Sequence, residues 1–127
     1  MQKFDELLRK FDLDFFGSGK HKMTIEKAME LKKEDKVFIL DVRSEQENDY
    51  LKFEFATNIP TSEIPDRVQE IPKDKIVAIF CTSATRATIV YTYLKVAGYE
   101  DVKIITNNIN DIAGLFKPGY VLKHKLK

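Results

Sequence analysis

One cysteine and two histidines are the only soft metal ligands of this kind in a chain of 127 residues. Cys81 has no partner for an intramolecular disulfide, and with His21 and His124 far away in sequence it makes no credible zinc site. Structural staples and metal catalysis drop out together. Charge of one sign is equally scarce. Twenty-one basic residues stand against 20 acidic ones, a net charge of +1, with no long run of either. That balance argues against nucleic acid or another polyanion as partner. The amino terminus, Met1-Gln2-Lys3-Phe4-Asp5-Glu6, carries acids and lacks an apolar run, so no secretory signal or membrane span is expected, and the chain reads as cytoplasmic. Internal repeats and low-complexity tracts are missing too.

What remains is a 43% hydrophobic chain, enough for one compact core. Phe4, Leu8, Phe11 and Phe15 follow one another at steps of four, three and four, which predicts an amphipathic helix over residues 2 to 16. Gly17-Ser18-Gly19 then breaks it. On this reading, residues 1 to 19 are a helix with a short linker and residues 20 to 127 are the main domain. Thr24 is placed to cap a second helix running from Ile25 to Lys33. Val37-Phe38-Ile39-Leu40, ending at Asp41, has the unbroken apolar character of a buried strand. Residues 62 to 71 predict a short helix interrupted by Pro65 and stopped by Pro72. Ile76-Val77-Ala78-Ile79-Phe80 is a second apolar run, and it leads straight into Cys81. From residue 84 to 97, Ala87, Val90, Tyr91, Leu94 and Ala97 recur at helical spacing; Gly98 fits the position after a helix, and Val102-Lys103-Ile104-Ile105 is another strand. Strands alternating with helices imply an α/β fold, a central parallel sheet with helices on both faces.

In such sheets ligands gather outside the carboxyl ends of the strands. Cys81 stands at that edge. The stretch Cys81-Thr82-Ser83-Ala84-Thr85-Arg86 joins a buried strand to a helix start, so its backbone N–H groups can converge on an anion. Helix amino termini and nearby cations favour the thiolate form of a cysteine, which makes Cys81 a candidate nucleophile and not just a small buried hydrophobe. Thr82, Ser83 and Thr85 add hydroxyl donors. A cation in the first turn of a helix opposes the helix dipole, so Arg86 needs another reason to be there: closure over an anion, or a carboxylate partner.

These residues resemble the rhodanese-like superfamily in its single-domain form, over about residues 24 to 121. Two signatures carry the resemblance. The first is a strand ending in Asp41-Val42-Arg43 with an acid, Glu47, following; the second is a loop from Cys81 to Arg86 with four residues between. Family relatives that process phosphate or arsenate have one more residue in that loop, so the spacing here favours sulfur. The family's usual Gly-His-Ile-Pro-Gly-Ala is replaced by Leu51-Lys52-Phe53-Glu54-Phe55-Ala56, although Asn58-Ile59-Pro60 matches. Asn107-Asn108 replaces a glycine pair, a change that Asn tolerates by visiting positive φ. Ile112 stands where tryptophan is common, and Ala84 where the loop often has glycine.

The resemblance implies a sulfurtransferase that moves sulfane sulfur from thiosulfate or a persulfide to a thiophilic acceptor through a persulfide on Cys81, with residues 82 to 86 as its cradle. It implies a small sulfur donor and a thiol or protein acceptor as partners, with no metal or organic cofactor. Asp41, Arg43 and Glu47 are expected to be structural, through an Asp41–Arg86 or an Arg43–Glu47 pairing. A non-catalytic module that carries sulfur or binds a protein is the alternative. The phenylalanine stripe is expected to pack on its own domain, which leaves a monomer or a dimer through the amino-terminal helix.

Overall fold

A computed structural model of the chain describes residues 1–124. Its centre is a five-stranded, wholly parallel sheet: β1 (Lys22–Met23), β2 (Val37–Asp41), β3 (Thr57–Asn58), β4 (Ile76–Phe80) and β5 (Val102–Ile105), in the spatial order β1-β5-β4-β2-β3. The helices are α1 (Gln2–Arg9), α2 (Leu13–Ser18), α3 (Ile25–Lys33), α4 (Glu45–Tyr50), α5 (Ile64–Arg67), α6 (Thr85–Val96), α7 (Ile109–Ala113) and α8 (Pro118–His124). The fold is the α/β architecture expected, with helices on both faces and an amino-terminal helical segment. No helix among the described residues is long and apolar enough to cross a membrane.

Strand periodicity divides the core in two. Along β4 and into the residue after it, Val77, Ile79 and Cys81 enter the core that α6 covers, whereas Ala78 and Phe80 enter the one covered by α3 and α7. On β2, Leu40 goes to the α6 side, as does Val42 just beyond the strand, and Val37 and Ile39 go to the other. Because both faces are covered, these strands are apolar throughout and do not alternate with polar residues. Each fully buried aliphatic side chain contributes about 1.5–3 kcal/mol. The helices start and stop where the side chains direct. The Thr24 hydroxyl accepts the Lys27 N–H at 3.1 Å to begin α3, and Gly98, at φ +97°, turns the chain away from the end of α6.

Three expectations need correction. The helix predicted over residues 2 to 16 is two helices, because the Asp12 carboxylate accepts the Phe15 N–H at 2.9 Å and so starts a new one. The break shifts the buried face: Leu7 is the buried residue of α1, and Leu8 is 52% exposed. Gly17 and Ser18 belong to α2, which ends at Gly19 with φ +67°. Residues 62 to 71 do not form one short helix either. They form α5 flanked by the 3-10 turns Thr61–Glu63 and Val68–Glu70. Finally, Asn107-Asn108 uses no positive φ. Asn107 accepts the Ile25 N–H at 2.8 Å, and Asn108 caps α7 in a reciprocal capping box with Asp111. Their value lies in their side-chain oxygens, which glycine lacks.

Candidate active site

Strand β4 is hydrogen-bonded on both sides, to β2 and to β5, so the chain leaves it in a fixed direction. Cys81 is the next residue, and sheet parity turns its side chain toward α6. Three residues then suffice to reverse the chain into that helix. The reversal is made at Ala84, which sits in the left-handed region at φ +76°, ψ −15°. A non-glycine residue there is strained, and the strain falls in the loop itself.

The first turn of α6 points back at the cysteine. The Ala87 N–H donates to Cys81 Sγ at 3.4 Å, and the N–H groups of residues 82 to 86 donate to no acceptor among the described residues. These are the free donors of a helix start and of the turn before it, the features that make an anion site. Ala87 lies one residue beyond the stretch singled out in the sequence; a helix beginning at Thr85 would have indicated it, since N3 is the last amide of the free first turn to lie close to the loop. Cys81 itself is 2% exposed. The other side of the loop is anchored by the Ile109 N–H, which donates to the Thr82 carbonyl at 3.1 Å.

Arg86 has a carboxylate partner. Its Nη1 lies 2.5 Å from Glu47 Oε1 and its Nη2 3.0 Å from Oε2, a two-pronged contact, and Nη2 also donates to the Thr82 hydroxyl at 3.0 Å. That hydroxyl in turn donates to Glu47 Oε2 at 3.2 Å. The Arg86 guanidinium, together with donors from Ser44, holds the Glu47 carboxyl far below the usual carboxylate range despite the opposing effect of burial. Glu47 likewise raises the pKa of Arg86, with a smaller contribution from the Cys81 sulfur. Glu47 is placed by a capping box at the start of α4: the Ser44 hydroxyl accepts the Glu47 N–H, and Glu47 Oε1 accepts the Ser44 N–H at 3.1 Å. Ser44-x-x-Glu47 is the sequence signal for this arrangement.

Asp41 and Arg43 pair with each other. Arg43 Nη2 is 2.7 Å from Asp41 Oδ2, its Nε is 3.0 Å from Oδ1, and its backbone N–H also reaches Oδ1 at 3.0 Å. Neither the Asp41–Arg86 nor the Arg43–Glu47 pairing exists. Residues two apart on an extended chain share a side, which brings Asp41 and Arg43 together, while α4 carries Glu47 over to the Cys81 loop. The Arg43 guanidinium lies over the Phe53 ring at 5.0 Å and near that of Phe80 at 6.0 Å, and its Nη2 donates to the Leu51 carbonyl. The segment that departs from the family pattern is thus the lid of this pair: Phe53 and Phe55 are core residues packed with Phe80 and Phe116. Asn58 and Thr61 fix the turn after β2 by donating to the Asp41, Val42 and Arg43 carbonyls, a role that sequence reasoning missed. Ser83 and Thr85 remain at the surface of the loop.

A five-stranded parallel sheet with a cysteine loop at the end of its central strand defines the class, and comparison with known proteins gives the family. The rhodanese-like domain family matches residues 24–114, and the chain belongs to that family. Over 66 residues it is 36% identical to a protein of Allochromatium vinosum named sulfurtransferase, an alignment covering 52% of this chain and 62% of that protein. A solved NAD-dependent persulfide reductase of A. fulgidus is 38% identical over 57% of this chain but only 13% of its own, with a TM-score of 0.51. A human single-domain sulfurtransferase shares the fold at a TM-score of 0.67 and 18% identity, covering 76% of this chain and 98% of that one.

Proposed function

We propose that the protein is a sulfurtransferase working by double displacement through Cys81, with a persulfide as its preferred donor. The observation that carries this reading is the end of the central strand: a cysteine sulfur already taking one helix amide, beside a run of N–H groups with no acceptor among the described residues. The Cys81 thiolate attacks the outer sulfur of a donor R–S–SH; the S–S bond of the donor breaks, R–S⁻ leaves and takes up the proton, and Cys81 holds the transferred sulfur as Cys81–S–S⁻. The amides of residues 82 to 86 are the cradle for the outer, charged sulfur. An acceptor thiolate then attacks that sulfur in its protonated form and regenerates the Cys81 thiolate. Residues 82 to 86 bind, Cys81 reacts, and Asp41, Arg43 and Glu47 hold the frame.

The preference for a persulfide follows from Arg86. It is the only cation in the loop, and Glu47 and Thr82 occupy both ends of its guanidinium. A site whose one positive charge is neutralised has little to offer a dianion such as thiosulfate. Incubation with a low-molecular-weight persulfide should add the mass of one sulfur atom to the wild type and none to Cys81→Ser, and loading should be slower with thiosulfate. A wild type that takes up no sulfur from any donor would sink the reading.

A carrier or protein-binding module is the second reading, and the 2% exposure of Cys81 favours it. The two part at discharge. An enzyme passes its sulfur to small thiols over many turnovers, whereas a carrier keeps its persulfide until a protein partner arrives.

A further inference from the structure

Beside the Cys81 loop, on the α6 side, lies an apolar groove of about 310 Å³ that the chemistry above does not use. Its walls are the rings of Phe11, in the turn between α1 and α2, and of Phe15 and Phe16 on α2, together with Ala84, which caps α6, and Thr88 on its outer surface; its lining also includes His21. Only one lining residue, Lys22, is charged. The volume is at the small end of the range for sites that take small organic molecules. Ala84 belongs both to the groove and to the loop, so the two adjoin at that residue.

Two features point to an occupant. His21 is 9% exposed and its Nδ1 is buried without a hydrogen-bond partner among the described residues, an uncommon and costly condition for a polar atom. Its ring is held by stacking on Phe15 at 5.1 Å and by an edge contact with Phe16 at 5.4 Å, and burial, then the neighbouring Lys22 and Lys103, lower its pKa. The second feature is Ala84. It bears a methyl group at φ +76°, where glycine would be free of strain, and that residue forms part of the groove wall.

We propose that this groove seats the organic body of the thiol–persulfide pair: an uncharged aromatic or branched-aliphatic group carrying the sulfur toward Cys81, with a hydrogen-bonding atom for His21. The proposal rests on the sulfur-transfer reading. It assigns the amino-terminal helices a place in substrate choice, since α2 supplies one wall.

The test separates binding from chemistry. 2-Phenylethanol, which has no sulfur, is titrated into the full-length protein while the amide signals of His21, Ala84 and Thr88 are followed. Saturable shifts at these residues, lost in Thr88→Trp, which fills the groove from an exposed helix position, are expected. No shift, or shifts indifferent to Thr88→Trp, would overturn the proposal. So would sedimentation as a dimer with these residues protected, because the occupant would then be a second copy. Cys81 persulfide is next discharged with 2-phenylethanethiol or 2-mercaptoethanol at equal thiolate concentration. The phenyl thiol should react about ten-fold faster in the wild type and at an equal rate in Thr88→Trp. Equal rates in the wild type would count against the groove. If the groove binds phenylethanol but Cys81 takes no sulfur, the failure belongs to the sulfurtransferase reading.

Discussion

Two carboxylate–guanidinium pairs stand at the same edge of the sheet and differ in almost everything else. Asp41–Arg43 is 1% exposed on both sides, joins residues two apart, and is roofed by Phe53 and Phe80 on the face away from α6. Glu47–Arg86 is 37% and 34% exposed, joins residues 39 apart, and sits on the Cys81 loop. The first satisfies its own charges inside the scaffold. The second neutralises the single cation of the reactive loop while remaining open to solvent. On the proposed reading the same pairing is costly to break in one place and bears on donor choice in the other, and burial separates the two.

Removing one partner should expose the difference most sharply on the buried side. Arg43→Met leaves the Asp41 carboxylate buried without its counter-ion and should lower the unfolding free energy by about 3–5 kcal/mol. Urea denaturation with an unchanged slope would read this as a shift in midpoint. A loss under about 1 kcal/mol would mean that water reaches Asp41 readily, and the contrast between the pairs would collapse.

How much of this was legible in the chain depends on the range of the interaction. The run from Ile76 to Phe80, the helix after it and the helix capped by Thr24 were readable because apolar spacing and a cap are local signals. The two-residue strands β1 and β3 were not, since only their parallel neighbours β5 and β2 define them. The apolar spacing points to Leu8 where Leu7 is buried, because the side chain of Asp12 restarts the helix and breaks the register that the spacing assumes. Cys81 and Arg86 were found from their place at the end of an apolar run. The partner of Arg86 was not, because the choice between Asp41 and Glu47 depends on sheet parity and on where α4 turns. Locally, Asp41-x-Arg43 sets its two charges on one side of an extended chain and Ser44-x-x-Glu47 is a capping box, but neither shows that α4 brings Glu47 to Arg86.

A smaller effect on stability and a larger one on substrate choice are expected at the exposed pair. Glu47→Gln retains an oxygen for the Ser44 N–H but leaves the Arg86 charge unbalanced in the loop. Stability should fall by only about 0.2–1 kcal/mol. Sulfur loading of Cys81 from thiosulfate should rise about ten-fold relative to loading from a persulfide, and the gain should fade at high salt. An unchanged ratio would show that Glu47 has no part in excluding the dianion.

The smallest effect is the pH dependence that this pair alone contributes. In the folded protein the Glu47 carboxyl is held, chiefly by Arg86, below its ordinary value of 4.5. Above that value both folded and unfolded chains carry the charge, and the pair's contribution is fully present. As pH falls below it, the unfolded chain takes up a proton that the folded one refuses, so stability declines toward the lowered folded value. His21, whose pKa is lowered first by burial and then by Lys22 and Lys103, also costs stability on acidification, but below its own ordinary value of 6.5. That loss is common to wild type and Glu47→Gln and cancels in their difference. The stability gap between the two proteins should therefore hold steady near neutrality, begin to close below about pH 5 and go on closing as pH falls toward the lowered folded value, by no more than about 1 kcal/mol because the pair is a third exposed. A gap that stays constant across that range would place the stabilisation in the hydrogen bonds, which glutamine keeps in part, and not in the charge.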